Sequence, residues 1–129
     1  MSILFKRLER LNPGNPLAPP KWFANLKSIG KISEKEVAKQ LADETTLNPK
    51  EAEMAISQFE KVLIRLLLDG HTVSLGDWGS FRVTCNSSAS DTKKEVTAAN
   101  IKNLNIRFTP GTDLKNALKK AHFVDAETI

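Results

Sequence analysis

The stretch VSLGDWGSFRV, residues 73–83, decides the fold because it contains two strand patterns separated by a tight turn. Apolar and polar residues alternate on both sides of the turn, and Gly76 and Gly79 bracket the turn itself. A period of two is typical of a strand with one apolar and one solvated face, and glycine is a preferred turn residue. The stretch therefore predicts two adjacent antiparallel strands.

A third strand and a helix are predicted downstream of this stretch. Leu104, Ile106 and Phe108 alternate with Asn105 and Arg107, again with a period of two. The alternation puts the apolar residues of all three strands against helices and the polar residues on a wet face. After the Pro110-Gly111 turn, a short basic helix is expected from Asp113 to about Ala121.

Two helices are predicted upstream of the strands. Ser33 and Glu36 have the spacing of a capping box, which predicts a helix that ends near Thr46. Asn48 is a good N-cap for a second helix of about 20 residues, and Gly70 suits its C-terminal end. An apolar stripe runs the whole length of this second helix, so we expect it to pack on the sheet or in a dimer interface.

The first 27 residues are predicted to be a proline-rich extension. The segment 12–21 holds four prolines, which exclude a helix and a central strand, while Ile3 to Leu8 could form a short strand. Trp22 and Phe23 are expected to cover the edge of the core. The extension could pair with an edge strand or regulate dimerisation, and the residues favour neither. The expected domains are 1–27 as the extension, 28–122 as the main domain and 123–129 as a tail.

The composition excludes several classes of protein. The net charge is +4, with an excess of basic residues on both sides of an acidic middle segment. No apolar run approaches the roughly 20 residues that a membrane span needs, and the first ten residues do not resemble a signal peptide.

The single cysteine, Cys85, suits a reducing cytoplasm. His71 and His122 lack metal-ligand spacing and no catalytic motif occurs, so we expect no enzyme, cofactor, metal or small-molecule substrate.

Residues 73–83 resemble the signature of the HU and integration host factor family. A second segment, FTPGTDLK at residues 108–115, resembles the family's Phe-x-Pro-Gly-x-x-Leu-Lys motif, which leads into its last helix. The proline-rich N-terminus and the short connection between strands are similar to a divergent HU-related group of Bacteroides-type bacteria. The resemblance covers residues 32–121 and implies an α+β fold with two N-terminal helices, a three-stranded antiparallel sheet with a short β-arm, and a C-terminal helix.

The resemblance also implies a function. Members of this family form dimers whose two sheets make a saddle for DNA, and we expect a largely sequence-independent, histone-like protein of the bacterial nucleoid that binds double-stranded DNA as a homodimer. A heterodimer and a monomer remain open. The implied DNA-binding residues lie on the wet face, in the arm and around the last helix: Arg82, Thr84, Lys93, Lys94, Lys102, Asn105, Arg107, Lys115 and Lys119.

The sequence departs from the family in the arm. Residues 86–99 contain no proline to insert between base steps, and Thr109 and Thr112 stand at two positions where the family usually has lysine. We therefore expect weaker and more salt-sensitive binding than in a typical HU, without sharp bending by intercalation. The alternative is an HU-like scaffold that serves protein–protein interaction or assembly and has little affinity for DNA.

Overall fold

The computed structural model describes residues 2–128, which form two compact units. Of the described residues, the first unit consists of residues 34–116, and the second combines residues 2–33 with residues 117–128. No helix within residues 2–128 is long and apolar enough to cross a membrane. The helices are α1 (Glu34–Glu44), α2 (Pro49–Leu68) and α3 (Thr112–Lys119). The strands are β1 (Ile3–Arg10), β2 (Lys21–Lys27), β3 (Val73–Ser74), β4 (Gly79–Ser87), β5 (Ile101–Pro110) and β6 (Phe123–Asp125).

The ends of α2 follow the sequence signals. The Asn48 side chain accepts a hydrogen bond from the Glu51 amide at 2.8 Å, so the predicted N-cap is confirmed. At the other end Gly70 has φ of 91°, and its amide donates to the Leu67 carbonyl at 3.1 Å. The His71 amide donates to the Leu66 carbonyl, which completes a Schellman motif. These caps fix the point at which the chain leaves α2 for the sheet.

The helices of the first unit are joined to an antiparallel sheet in the order β3-β4-β5. The helix α1 packs along α2, and α2 contacts β3 and β4. Three aromatic rings form a cluster on the apolar side of this sheet. Trp78 stacks edge-on against Phe81 with ring centroids 6.3 Å apart, and Phe108 lies 4.9 Å from Phe81. Contacts of this kind add about 0.5–1.5 kcal/mol each beyond the buried area, so the cluster stabilises the β4–β5 pairing.

The second unit contains a mixed sheet in the order β2-β1-β6. The strands β1 and β2 form an antiparallel hairpin, and β6 pairs with β1 in parallel. The Arg7 guanidinium contacts the Asp125 carboxylate at 2.7 Å. This ion pair links β1 to β6, which are neighbours in the sheet although they are far apart in the sequence. The proline-rich segment connects β1 to β2 through turns closed by amide-to-carbonyl bonds from Asn15 to Asn12 and from Ala18 to Asn15.

The predicted fold class is wrong. Within residues 2–128 the chain has six strands in two sheets, and it begins with two strands, not with two helices and a single sheet. The prediction fails because four prolines within residues 12–21 led us to interpret the whole N-terminal segment as an extension. All four lie in the connection between β1 and β2, and none lies within either strand. The three-residue strand β6 carries no local signal, since it is defined by its pairing with β1.

The predicted β-arm is also absent. The β4–β5 ladder ends where Ser87 pairs with Ile101, and the residues between them form a loop with two 3₁₀ turns, Lys93–Glu95 and Ala98–Asn100. Asn100 organises this loop. Its side-chain amide donates to the Ser88 carbonyl at 3.0 Å and to the Ser90 hydroxyl at 2.9 Å. A compact loop therefore replaces the pair of extended strands that an arm requires.

Candidate nucleic-acid interface

The polar face of the β3-β4-β5 sheet carries two neighbouring cross-strand pairs. Arg82 lies directly opposite Arg107, and Thr84 lies opposite Asn105. The alternation of the strands places these four side chains on the face opposite to the aromatic cluster. Both arginines are exposed, as is Asn105, and Thr84 is half-buried. The sheet thus brings together four of the predicted site residues.

The Arg82–Arg107 pair concentrates positive charge. Residues directly opposite on antiparallel strands have Cβ atoms about 4.5–5.5 Å apart, and like charges at this spacing repel each other. Within residues 2–128 neither guanidinium forms an ion pair with a carboxylate. A guanidinium presents a planar fork of donors that can hydrogen-bond two phosphate oxygens. The pair is therefore suited to an anion with closely spaced oxygens, and such an anion would relieve the repulsion.

The remaining predicted residues are not grouped with these pairs. Lys93 and Lys94 lie in a 3₁₀ turn of the compact loop and are exposed. Lys102 lies at a register shift near the end of the β4–β5 ladder. Its neighbours Ile101 and Asn103 pair with residues of β4, and Lys102 itself has no partner in the ladder. Lys115 lies in α3 within the first unit, and Lys119 is the last residue of α3 and belongs to the second unit.

Two glycine-containing turns hold the strands of this face in register. The Gly111 amide donates to the Trp78 carbonyl at 3.0 Å, which ties the turn after β5 to the turn before β4. A Cβ atom at Gly79 would lie 2.3 Å from the Phe108 ring, so only glycine fits there. The two sequence motifs are therefore parts of one packed structure, and this structure sets the pairing of Arg82 with Arg107.

An apolar surface between the end of α2 and the β4–β5 pair is left open, and Arg82 and Asn105 lie at its border. Leu104 and Ile106 lie on the predicted apolar face of β5, yet 64% and 59% of their surfaces are exposed. On α2, Leu68 is 74% exposed and Ile64 is 49% exposed. These four residues line a cavity of about 590 Å³ between the end of α2 and the sheet. Leu104 and Ile106 were expected to lie against helices, and the helices of this chain leave more than half of the surface of each residue uncovered.

Asn100 is the residue that the sequence reasoning missed. It is the one buried polar residue in the described part of the chain, and its carbonyl also accepts from the Ser88 amide at 2.8 Å. Its side-chain oxygen accepts from the Thr97 amide at 2.8 Å. The Thr97-x-x-Asn100 spacing is a weak signal of a local cap, but the contacts with Ser88 and Ser90 follow only from the folded loop.

Comparison with known proteins defines the class to which this architecture belongs. The sequence profile of the HU-HIG family, described as an HU domain fused to a wHTH, Ig or glycine-rich motif, matches residues 1–124. The chain belongs to the HU-HIG family, and the predicted resemblance to a divergent HU-related group is confirmed. The match spans residues of both compact units, so the N-terminal sheet lies within the family's domain.

A solved structure supports the same fold. The chain is similar to the crystal structure of a candidate bacterial DNA-binding protein from Bacteroides vulgatus ATCC 8482, with a TM-score of 0.65 and 14% sequence identity. The alignment covers 95% of this chain and 48% of the other, so this chain spans about half the length of that protein. No curated protein matches the sequence significantly.

Proposed function

We propose that this protein is a non-enzymatic, largely sequence-independent DNA-binding protein of the histone-like, nucleoid-associated type. The observation that carries the proposal is the exposed Arg82–Arg107 pair on the polar face of the sheet. Membership of an HU-related family and the fold shared with a candidate DNA-binding protein support it. Phosphates are the natural ligands of paired guanidinium groups, and each neutralised phosphate releases counterions, which drives binding.

The DNA surface in this proposal is a saddle made by a homodimer. Ile64, Leu68, Leu104 and Ile106 form an exposed apolar surface, and large patches of this kind mark interaction sites. A second copy would cover this surface and extend the polar face into a broader basic platform. Single-subunit binding would leave the apolar residues in water and would use only one arginine pair.

Sequence tolerance follows from the chemistry of the proposed contacts. Arginine forks, Thr84 and Asn105 would contact phosphates and the edge of the minor groove, and phosphate contacts carry no direct sequence information. Residues 86–99 contain no proline, and they form a compact loop. We therefore propose that the protein binds DNA without the intercalation that produces sharp kinks.

The more distant lysines would contribute secondary contacts. Exposed lysines near a duplex act as mobile point charges, which strengthen binding at low salt and lose their effect as salt screens them. This auxiliary set comprises Lys93, Lys94, Lys102, Lys115 and Lys119.

A second candidate function is that of an HU-like scaffold for protein assembly. The cavity of about 590 Å³ and the exposed apolar residues around it favour this alternative, because a protein partner other than a second copy could occupy them. The two functions differ in how they depend on salt. DNA binding weakens steeply as salt rises, whereas an apolar protein interface is much less sensitive.

Competition between unrelated duplexes tests the proposal. A fluorescent duplex of random sequence is bound at low salt and displaced by unlabelled duplexes of different sequence and base composition. The proposal predicts displacement constants that agree within about tenfold, since phosphate contacts are common to all duplexes. A single sequence that competes a thousandfold better than the others would contradict sequence-independent binding.

A further inference from the structure

The pairing of the N-terminal strands separates opposite charges onto opposite faces of the β2-β1-β6 sheet. In β1, Lys6 and Arg10 lie on the same face, and the β1–β2 register places Lys21 and Lys27 on that face as well. We call these four residues the basic face; all of them are exposed. No carboxylate of the three strands lies on this face.

The acidic residues of the three strands lie on the opposite face. Glu9 and Asp125 both fall there, together with Arg7. Arg7 contacts the Asp125 carboxylate at 2.7 Å and the Glu127 carboxylate at 3.8 Å, so its charge is neutralised within the unit. In the described part of the chain no ion pair neutralises the four cations of the basic face. The sheet therefore presents an uncompensated positive surface on one side only.

Two of these cations repel each other in the folded protein. Arg10 and Lys21 are direct cross-strand partners, and like charges in this arrangement destabilise a strand pair. The Arg10 guanidinium lies 5.9 Å from the centre of the Phe23 ring on the same face, which offsets part of this cost by a cation–π contact. The pairing thus places two cations where one anion could contact both side chains and relieve their repulsion.

The end of the hairpin forms a concave surface next to this pair. Arg10, Lys21 and Phe23 line a cavity of about 460 Å³ together with Pro13 and Pro19 of the connecting segment. Prolines and short turn hydrogen bonds restrict the backbone of this segment, so the cavity is formed before a ligand binds. The basic face thus ends in a cavity in which an anionic group can contact both cations.

We propose that the basic face is a second DNA-binding surface that takes phosphates of the duplex backbone. From Lys21 to Lys27 the strand spans about 20 Å at roughly 3.3 Å per residue. A duplex presents about a dozen phosphate charges over this length, so each cation can contact one. The proposal rests on DNA being the ligand of the protein, but it uses residues entirely separate from the Arg82–Arg107 pair.

Charge-matched variants test this surface. The variant Lys6→Gln/Lys21→Gln/Lys27→Gln removes three charges from the basic face and keeps Arg10 and its contact with Phe23. The control Lys39→Gln/Lys50→Gln/Lys61→Gln removes three charges from exposed positions on α1 and α2. Both variants have the same net charge, and circular dichroism and thermal unfolding verify that both are folded.

Fluorescence anisotropy with a duplex across a salt series distinguishes the outcomes. The log–log salt slope of the basic-face variant is expected to be shallower than that of the control by about 0.9 per lost contact, or about 2.7 in total. Equal slopes for the two variants would overturn the second surface while leaving the proposed function intact. Absence of wild-type binding at low salt would overturn both. Normal binding by Arg82→Ala/Arg107→Ala, with loss in the basic-face variant, would overturn the saddle alone.

Discussion

Gly111 lies so close to the backbone of Asp77 that a Cβ atom at position 111 would be 2.2 Å from the Asp77 carbonyl oxygen. In the same turn the Gly111 amide donates a hydrogen bond to the Trp78 carbonyl. The β4 and β5 strands are therefore clamped together at one end, and this clamp fixes which residues of the two strands face each other. The alignment of Arg82 with Arg107 depends on it.

Substitution of Gly111 by alanine is expected to destabilise the protein. The methyl group must displace the Asp77 backbone, and overpacking of this kind costs about 1–3 kcal/mol. Denaturant unfolding followed by circular dichroism measures the loss. Gly14→Ala is the matched control because its Cβ would meet only the Asn12 side chain, at 3.4 Å. Equal stability of the two variants would show that the clamp does not form.

Substitution of Asn100 by alanine is expected to open the compact loop without unfolding the sheet. The change removes the bonds to Ser88 and Ser90, and each buried polar group left unpaired costs about 1–3 kcal/mol. Hydrogen exchange of residues 88–100 is expected to accelerate, while exchange in α2 stays slow. Asn103→Ala, an exposed change on β5, serves as the control. Unchanged exchange in the loop would contradict the role assigned to Asn100.

Substitution of Ile106 by aspartate is expected to weaken dimerisation. Burial of an unpaired charge in an apolar interface is costly, so the dissociation constant should rise at least ~100-fold. Sedimentation velocity over a concentration series measures the change. Asn103→Asp adds the same charge to the polar face of β5 and should leave the dimer intact. A monomeric wild type, or two variants that dimerise equally, would contradict the proposed interface.

Local sequence signals correctly predicted the features that depend on residues close together in the sequence. Asn48 and Gly70 marked the ends of α2 correctly, because caps depend on residues within one turn of the helix. The alternation in β4 and β5 likewise identified which residues share a face. The assignment of Arg82 and Arg107 to DNA binding stays a prediction that the salt experiments address.

Pairings between distant parts of the chain could not be predicted in this way. Ile3 pairs with Phe123, and no local pattern in the three-residue strand β6 predicts this pairing. The exposure of Leu104 and Ile106 was also missed, since alternation shows that residues share a face but not what covers it. The basic face had a signal in the excess of lysine and arginine before residue 40. Its interpretation required the register of β1 with β2.

The most direct test of the central claim is the salt dependence of duplex binding by the wild type and by Arg82→Ala/Arg107→Ala. Fluorescence anisotropy gives the dissociation constant at each salt concentration, with Lys50→Ala/Lys61→Ala as the charge-matched control on α2. We predict steep salt dependence for the wild type and a slope shallower by about 0.9 per lost contact, or about 1.8, for the arginine variant. Absence of wild-type binding even at low salt would contradict the claim that the protein binds DNA.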